Sequence, residues 1–274
     1  MATESLPTSA TLSVANLTLA SGASCLAATS EATFYPRTNL QSALRSKKWR
    51  SVGTGQTDLD FDLGSAQLPT IIALIDSNLD ASKTVTIYAS DSSAFGSGET
   101  YTYTSATYTQ GRAKVLRFYR GAPDSGSATA RRYWRIRLPS SGTSSTYHEL
   151  GVVWLGAYID VAFEYGATNK IVDPSHVVES YSGARYFDAL RTMRDIDISV
   201  PLITETTVHS MERSLETAGG STFVLLDLFG STSTTTKKAS SGYYGTLDLK
   251  GGAALTYKFA LTGDWRFSFS EAVA

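Results

Sequence analysis

The sequence predicts a mainly β protein made of two β-sandwich domains, with one α-helix flanking the second. Three observations predict it. Leu59, Phe61 and Leu63 alternate with Asp58, Asp60 and Asp62, and Val85, Ile87 and Ala89 repeat the pattern. A period of two gives a strand one dry and one wet face. Turn chemistry separates such runs, as in Gly121-Ala122-Pro123-Asp124-Ser125-Gly126-Ser127. A convincing helical period occurs only from Thr204 to Ala218, where Val208, Met211 and Leu215 share one face.

Taken in order, Leu12, Val14, Leu17 and Leu19 read as an extended arm or edge strand. After the Asp-flanked strand and Val85–Ala89, Thr100 to Thr109 alternates Tyr and Thr, residue types suited to strands. Val115–Tyr119 and Tyr133–Leu138 are further strands, and Leu150–Gly156 closes a first domain placed at residues 1–158. The second domain, 159–274, opens with Gly166–Pro174 read as a linker or crossing segment. Ala184–Arg191 and Arg194–Val200 are two extended runs read as one hairpin, the second ended by Pro201. For the helix at 204–218, Thr204 is the expected N-cap, Glu205 suits the positive dipole end, and Gly219-Gly220 suits the stop. Thr222–Phe229 is too apolar to be half exposed and reads as a central strand. A Ser/Thr/Lys loop at Ser231–Ser241 precedes three short strands, Tyr243–Leu249, Ala254–Leu261 and Trp265–Phe269. Trp265, Phe267 and Phe269 fall on one face of the last.

Bulk properties narrow the function. The net charge of −1 argues against a chain-wide nucleic-acid footprint. Residues 1–150 carry 14 Lys/Arg against 11 Asp/Glu, and residues 151–274 carry 10 against 14, an asymmetry too small to define a partner by itself. The one cysteine, Cys25, excludes an intrachain disulfide and a multi-cysteine metal site, and reads as a small buried apolar residue. Glu4 stands where a secretory signal would be basic, and no apolar run reaches the ~20 residues a membrane helix needs. The expectation is a protein made in a reducing cytosol without a membrane segment. The glycosylation spacing Asn16-Leu17-Thr18 is then read as chance.

Catalytic and metal motifs are weak. Asp58, Asp60 and Asp62 have the opening spacing of a calcium loop, but Leu63 and Pro69 occupy the positions that need Gly and Glu. A solvated strand face is the expectation there, with a weak calcium site elsewhere left open. His148, His176 and His209 are scattered, with no ligand spacing among them. There is no G-x-S-x-G, no Gly-rich loop leading into a helix, and no pair of carboxylates marked out for glycoside chemistry. The expectation is a non-enzyme without cofactor or metal. Two basic stretches stand out: Arg37, Arg45, Lys47, Lys48 and Arg50 around Trp49, and the run from Arg112 to Arg137 around Trp134. One reading is an anionic or glycan surface of aromatic faces and arginine forks. The other places both Trp residues in the core and the Arg residues on wet strand faces.

The series Phe34-Tyr35-Pro36-Arg37-Thr38-Asn39-Leu40, Lys48-Trp49-Arg50-Ser51, Leu59-Asp60-Phe61-Asp62-Leu63-Gly64, Thr84–Ser90 and Arg131–Leu138 resembles, in that order, a discoidin-type, galactose-binding-like domain. The resemblance implies a jelly-roll sandwich used for binding and docking. Its ligand-facing end would bring Arg37, Asn39, Arg45, Trp49 and Arg50 to the ligand. The chain lacks the cysteine pair that staples many extracellular members. From Tyr181 to Glu271, the order of elements and the ending Trp265-Arg266-Phe267-Ser268-Phe269-Ser270-Glu271 are similar to the tail-tube and distal-tail family of long-tailed bacteriophages. That similarity implies a ring-forming homo-oligomer, a hexamer or else a trimer, in a phage tail tip assembled in the host cytoplasm. The ring would meet tube, hub and tape-measure proteins, with contacts through Arg185, Phe187, Arg191, Arg194, Ile196 and Ile198. The alternatives are a stand-alone carbohydrate-binding or adhesion module contacting a surface glycan and, behind it, a fragment of a glycan-processing enzyme.

Overall fold

The computed structural model describes residues 9–80, 83–104, 115–119, 129–162, 168–173, 175–179, 181, 185–188, 192–204, 209, 213, 216, 222–228, 242–248, 254–259 and 262–272. The chain is mainly β. Its strands are β1 (Ser9–Ser13), β2 (Ser24–Ala28), β3 (Trp49–Arg50), β4 (Thr57–Gln67), β5 (Ile71–Ile75), β6 (Thr84–Ser90), β7 (Glu99–Thr104), β8 (Val115–Tyr119), β9 (Arg131–Leu138) and β10 (Glu149–Leu150). There follow β11 (Val152–Gly156), β12 (Ile159–Ala162), β13 (Thr168–Val172), β14 (His176–Glu179), β15 (Arg185–Asp188), β16 (Met193–Thr204), β17 (Phe223–Asp227), β18 (Gly242–Asp248), β19 (Ala254–Phe259) and β20 (Thr262–Glu271). Two compact units share them. The first is Met1–Asp160 with Val224–Tyr244 and Ala274, and the second is Val161–Phe223 with Gly245–Val273. A single cut after Tyr158 therefore does not collect all of the first unit.

The first unit is a sandwich of five strands, in the order β2-β4-β9-β6-β7, over three, in the order β11-β5-β8. Every described pairing is antiparallel. Register converts the alternating sequence into a dry layer. Leu59 faces Ile136, which faces Ile87, and Phe61 faces Trp134, which faces the small Ala89. These side chains pack with Ile72, Leu74, Val153 and Leu155 of the smaller sheet in one buried cluster. The strands β5 and β11 have no alternation because every residue of both is buried. Their second face is covered by β1, β17 and the start of β18. Leu12 pairs with Leu226, Trp154 Nε1 donates to Ser13 Oγ at 3.0 Å, and Tyr244 meets the Trp154 ring edge-on with centroids 6.0 Å apart. Gly156 permits that approach, since a Cβ there would lie 2.5 Å from the Ala15 carbonyl oxygen and 2.7 Å from Ser13 Oγ. Asn16 is committed inside the same unit. Its amide donates to Val153 O at 2.8 Å and accepts from Thr18 N and Leu155 N, which leaves no glycosylation acceptor.

In the second unit β16 pairs with β13 on one side and β20 on the other, and β20 also pairs with β19 and with residues 245–248 of β18. Ile196, Ile198, Leu247, Phe267 and Phe269 form its described core. Asp195 and Asp197 accept from the Ser270 and Ser268 hydroxyls. Several expectations are corrected here. Gly166–Pro174 contains the strand β13 instead of a bare linker. Pro201 does not end the run: β16 continues to Thr204 through a register shift between Val200 and Ile203, a bulge that accommodates a residue without N–H. The expected Ala184–Val200 hairpin does not form, because β15 pairs with β14, and β16 with β13 and β20. Of the expected interface, Ile196 and Ile198 are core residues and Arg194 is half-buried. Arg185 is exposed on β15, Phe187 lies opposite Val177, and Arg191 lies outside the described residues. His209, Arg213 and Glu216 are helical and exposed, as expected of the outer face at 204–218. Val208, Met211 and Leu215 lie outside the described residues, as do the end of Thr100–Thr109 and the Ser231–Ser241 loop. No helix among the described residues is long and apolar enough to cross a membrane.

Candidate binding site at the loop end of the first sandwich

The strand β2 ends at Ala28 opposite Leu59, and β9 ends at Leu138 opposite Thr57, so residues 29–36, 51–56 and 139–148 leave the sheet at one end. Hydrogen bonds lock them together. Ala32 N donates to Arg50 O at 2.8 Å, Val52 N to Ser30 Oγ at 2.9 Å, and Ser141 N to Thr54 O at 2.7 Å. The two-residue ladder of β3 and β10 sets Leu150 opposite Trp49 and Glu149 opposite Arg50. Strand alternation then turns Trp49 inward and Lys48 and Arg50 outward. Both outer cations converge on one carboxylate. Lys48 Nζ donates to Glu149 Oε1 and Arg50 Nε to Glu149 Oε2, each at 2.6 Å. The Arg50 guanidinium lies over two rings, 4.0 Å from the Tyr35 centroid and 4.8 Å from that of Tyr147. Burial opposes its charge, but the Glu149 hydrogen bond and charge, with Tyr147 and Tyr35, outweigh it and raise its pKa above the ordinary arginine value. Beside this cluster Phe34 stands 88% exposed in a turn closed by Tyr35 N donating to Ala32 O, and Val52 is 74% exposed. Two large apolar groups set beside a fixed cation and two aromatic rings are the components of a binding surface.

The residues expected to meet a ligand separate in the structure. Arg37 ties the loop down, donating to Cys25 O at 3.3 Å and to Glu31 at 3.2 Å. Asn39 donates to Lys48 O at 2.7 Å and so holds the approach to β3. Arg45 is buried in a bidentate pair with Asp76 at 2.6 and 2.7 Å. Trp49 is wholly buried and presents no face to a ligand. Arg50 alone among the five belongs to the outward cluster. Phe34 and Tyr35 were visible as large residues in a turn segment, whereas Tyr147 and Glu149 lie almost a hundred residues away from Arg50 and carried no local signal.

The Asp58/Asp60/Asp62 face is not a wet one. These residues are buried, and each forms a bidentate pair: Asp58 with Arg137, Asp60 with Arg135, and Asp62 with Arg132, at 2.6–2.8 Å. Hydrogen bonding to Asp58 raises the pKa of Arg137, and hydrogen bonding from Arg132 lowers that of Asp62. Those carboxylates are committed to arginines and unavailable as calcium ligands. Among the described residues no cluster of His, Cys, Asp or Glu is placed to hold a metal. Burial pushes the Cys25 thiol up to about 12, which leaves it inert as a nucleophile.

His148 pins the same end from inside. Its backbone N–H donates to Ser51 Oγ at 2.8 Å, its Nε2 lies 3.2 Å from Gly55 O, and its buried Nδ1 has no partner among the described residues. Burial lowers its pKa below the ordinary 6.5, against the smaller raising effect of nearby carbonyls. The unfolded chain therefore takes up this proton first as pH falls. The contribution to stability is complete above about pH 6.5 and is lost from there down to the depressed folded pKa. Denaturant melts should show stability declining as pH falls below about 6.5, with a shallower slope in His148→Gln. Equal slopes would mean that the imidazole titrates alike in both states.

No protein-family model matches the chain, and no curated protein does. Solved structures match about half of it. Chitosan-binding module 1 of a chitosanase/glucanase from Paenibacillus sp. IK-5 is 19% identical over 52% of this chain and 98% of that one, with TM-score 0.40. The family 32 CBM from C. perfringens NanJ, solved in complex with galactose, is 15% identical over 54% and 99%, with TM-score 0.38. CBM32-3 from a family 31 glycoside hydrolase of Clostridium perfringens is 17% identical over 50% and 92%, with TM-score 0.37. These are partial likenesses to carbohydrate-binding modules, and at such TM-scores none of them bears on what this chain binds.

Proposed function

We infer that the first unit is a non-catalytic saccharide-binding module whose contact surface is its loop end. The observation that carries this reading is the Arg50 guanidinium held against the Tyr35 and Tyr147 rings, with Phe34 and Val52 exposed on the adjoining chain segments. Apolar groups pack on the C–H face of a sugar while a fixed polar group reads its oxygen atoms. Phe34→Ala should weaken retention by an immobilised or soluble polysaccharide at least about tenfold, with the melting temperature unchanged, because the ring is solvated and packs on little. Affinity electrophoresis of the full chain against a panel of neutral and acidic polysaccharides checks this. Retention by none of them would defeat the reading.

A second reading concerns the second unit: a ring-forming subunit of a phage tail tip, six-fold or three-fold, meeting other tail proteins and displaying the module outward. An edge strand favours it. Among the described residues β13 pairs only with β16, and its Ile171 is 59% exposed. Open edges carrying apolar residues are sites of strand addition and self-assembly. Exposed Arg185 on the β14–β15 hairpin is a contact candidate in that ring. Light scattering of the full chain, followed by electron microscopy of any assembly, tests it. A monomer at every concentration and no ring would remove it.

A further inference from the structure

We propose that the saccharide taken at the loop end is an acidic one, with Arg50 receiving its carboxylate. This rests on the saccharide-binding reading and adds the chemical class. Glu149 gives one oxygen to Lys48 and the other to Arg50 Nε. The two η nitrogens of Arg50 make no hydrogen bond among the described residues, and its side chain is 27% exposed. Arg132, Arg135 and Arg137 differ, each held by an aspartate through Nε and an η nitrogen. Arg50 spends only Nε on its partner because Glu149 is shared with Lys48.

Shape follows from the donors left over. The Arg50 guanidinium carbon lies over both the Tyr35 and the Tyr147 ring, 4.0 and 4.8 Å from their centroids, so two aromatic rings hold the group while its η N–H groups stay unengaged among the described residues. A planar pair of N–H groups matches the two oxygens of a carboxylate. The two rings and the Nε bond already restrict the side chain, so little further freedom is lost on binding. Charge agrees: Lys48, Arg50 and Glu149 sum to one net positive charge, which a carboxylate neutralises and a hydroxyl does not. Phe34 and Val52 offer apolar contact to the ring that carries the acid.

The test uses the full chain and soluble polygalacturonate, its fully methyl-esterified form, neutral galactan and poly-glutamate at physiological ionic strength. Polygalacturonate should bind at least about tenfold more tightly than its ester, and Arg50→Lys should remove most of that preference. Lysine keeps the charge and loses the fork, so a purely charge-driven contact would survive the change. Phe34→Ala should weaken acid and ester alike, which reports the saccharide contact separately from the carboxylate. Equal binding of acid and ester overturns the acidic class while leaving the saccharide-binding reading intact, and equal binding of the acid by Arg50→Lys and the parent overturns the assignment of its carboxylate to the Arg50 fork. Galactan bound in preference to polygalacturonate likewise overturns the acidic class. Poly-glutamate bound as tightly as polygalacturonate makes an acidic peptide the partner and overturns the proposal. Binding of none of the four overturns the proposal together with the reading beneath it.

Discussion

Arg45→Met is expected to lower the unfolding free energy by about 3–5 kcal/mol, the scale for removing one partner of a buried ion pair. The Arg45 side chain is 2% exposed and that of Asp76 11%, and they share two short hydrogen bonds. Asp76 sits at φ 55°, in the left-handed region where Asp and Asn are the better-tolerated side chains, which points to its carboxylate being held there by the pair. Methionine would fill most of the space and leave a carboxylate with little access to water. The loss should therefore come from stranded charge more than from volume. Asp76→Asn on the Arg45→Met background supplies the check: removing the orphaned charge should recover a substantial part of the loss. Denaturant titration of the four proteins measures the cycle, and simple additivity of the two single changes would show that the pair does not act as a unit.

Trp154→Ala should cost a similar amount, about 3–5 kcal/mol. The indole is fully buried, donates to Ser13 Oγ, and meets Tyr244 edge-on. Tyr244 is itself anchored, its hydroxyl donating to Ala43 O at 2.7 Å, and burial raises its pKa. One substitution thus loosens the smaller sheet from the layer that covers its outer face. Trp154→Phe keeps most of the ring and leaves Ser13 Oγ with Ala157 O as its acceptor, so it should cost clearly less. If the alanine variant unfolds at the parent's denaturant midpoint, β17 and the start of β18 do not cover β11 as described.

Part of the fold was legible in the sequence for a local reason. Alternation at Leu59–Leu63 and Val85–Ala89 marks strands with one dry face, and β4 and β6 lie there. Period-two packing is a property of the strand itself, so it survives without knowledge of the partner. The same rule failed where both faces are dry. Ile71–Ile75 has no period to read, and its second cover is supplied by β1, β17 and the start of β18 from distant parts of the chain. The aspartates of β4 alternate like a solvated face in the sequence, but arginines 70 to 79 residues away bury them.

The site divides in the same way. Sequence alone determined a mainly β chain, a first sandwich closing near Gly156, a cysteine placed for burial, and a basic loop around Trp49 with no catalytic motif. The tertiary structure decided which of those cations could meet anything. Asp76 takes Arg45 inside, Glu31 and Cys25 O hold Arg37, and the pairing of β3 with β10 brings Glu149 and Tyr147 to Arg50. Strand alternation is written residue by residue along the chain. Which strand pairs with which, and in what register, depends on burying side chains from many separate segments at once, and that choice decides which charges are neutralised and which remain open to a ligand.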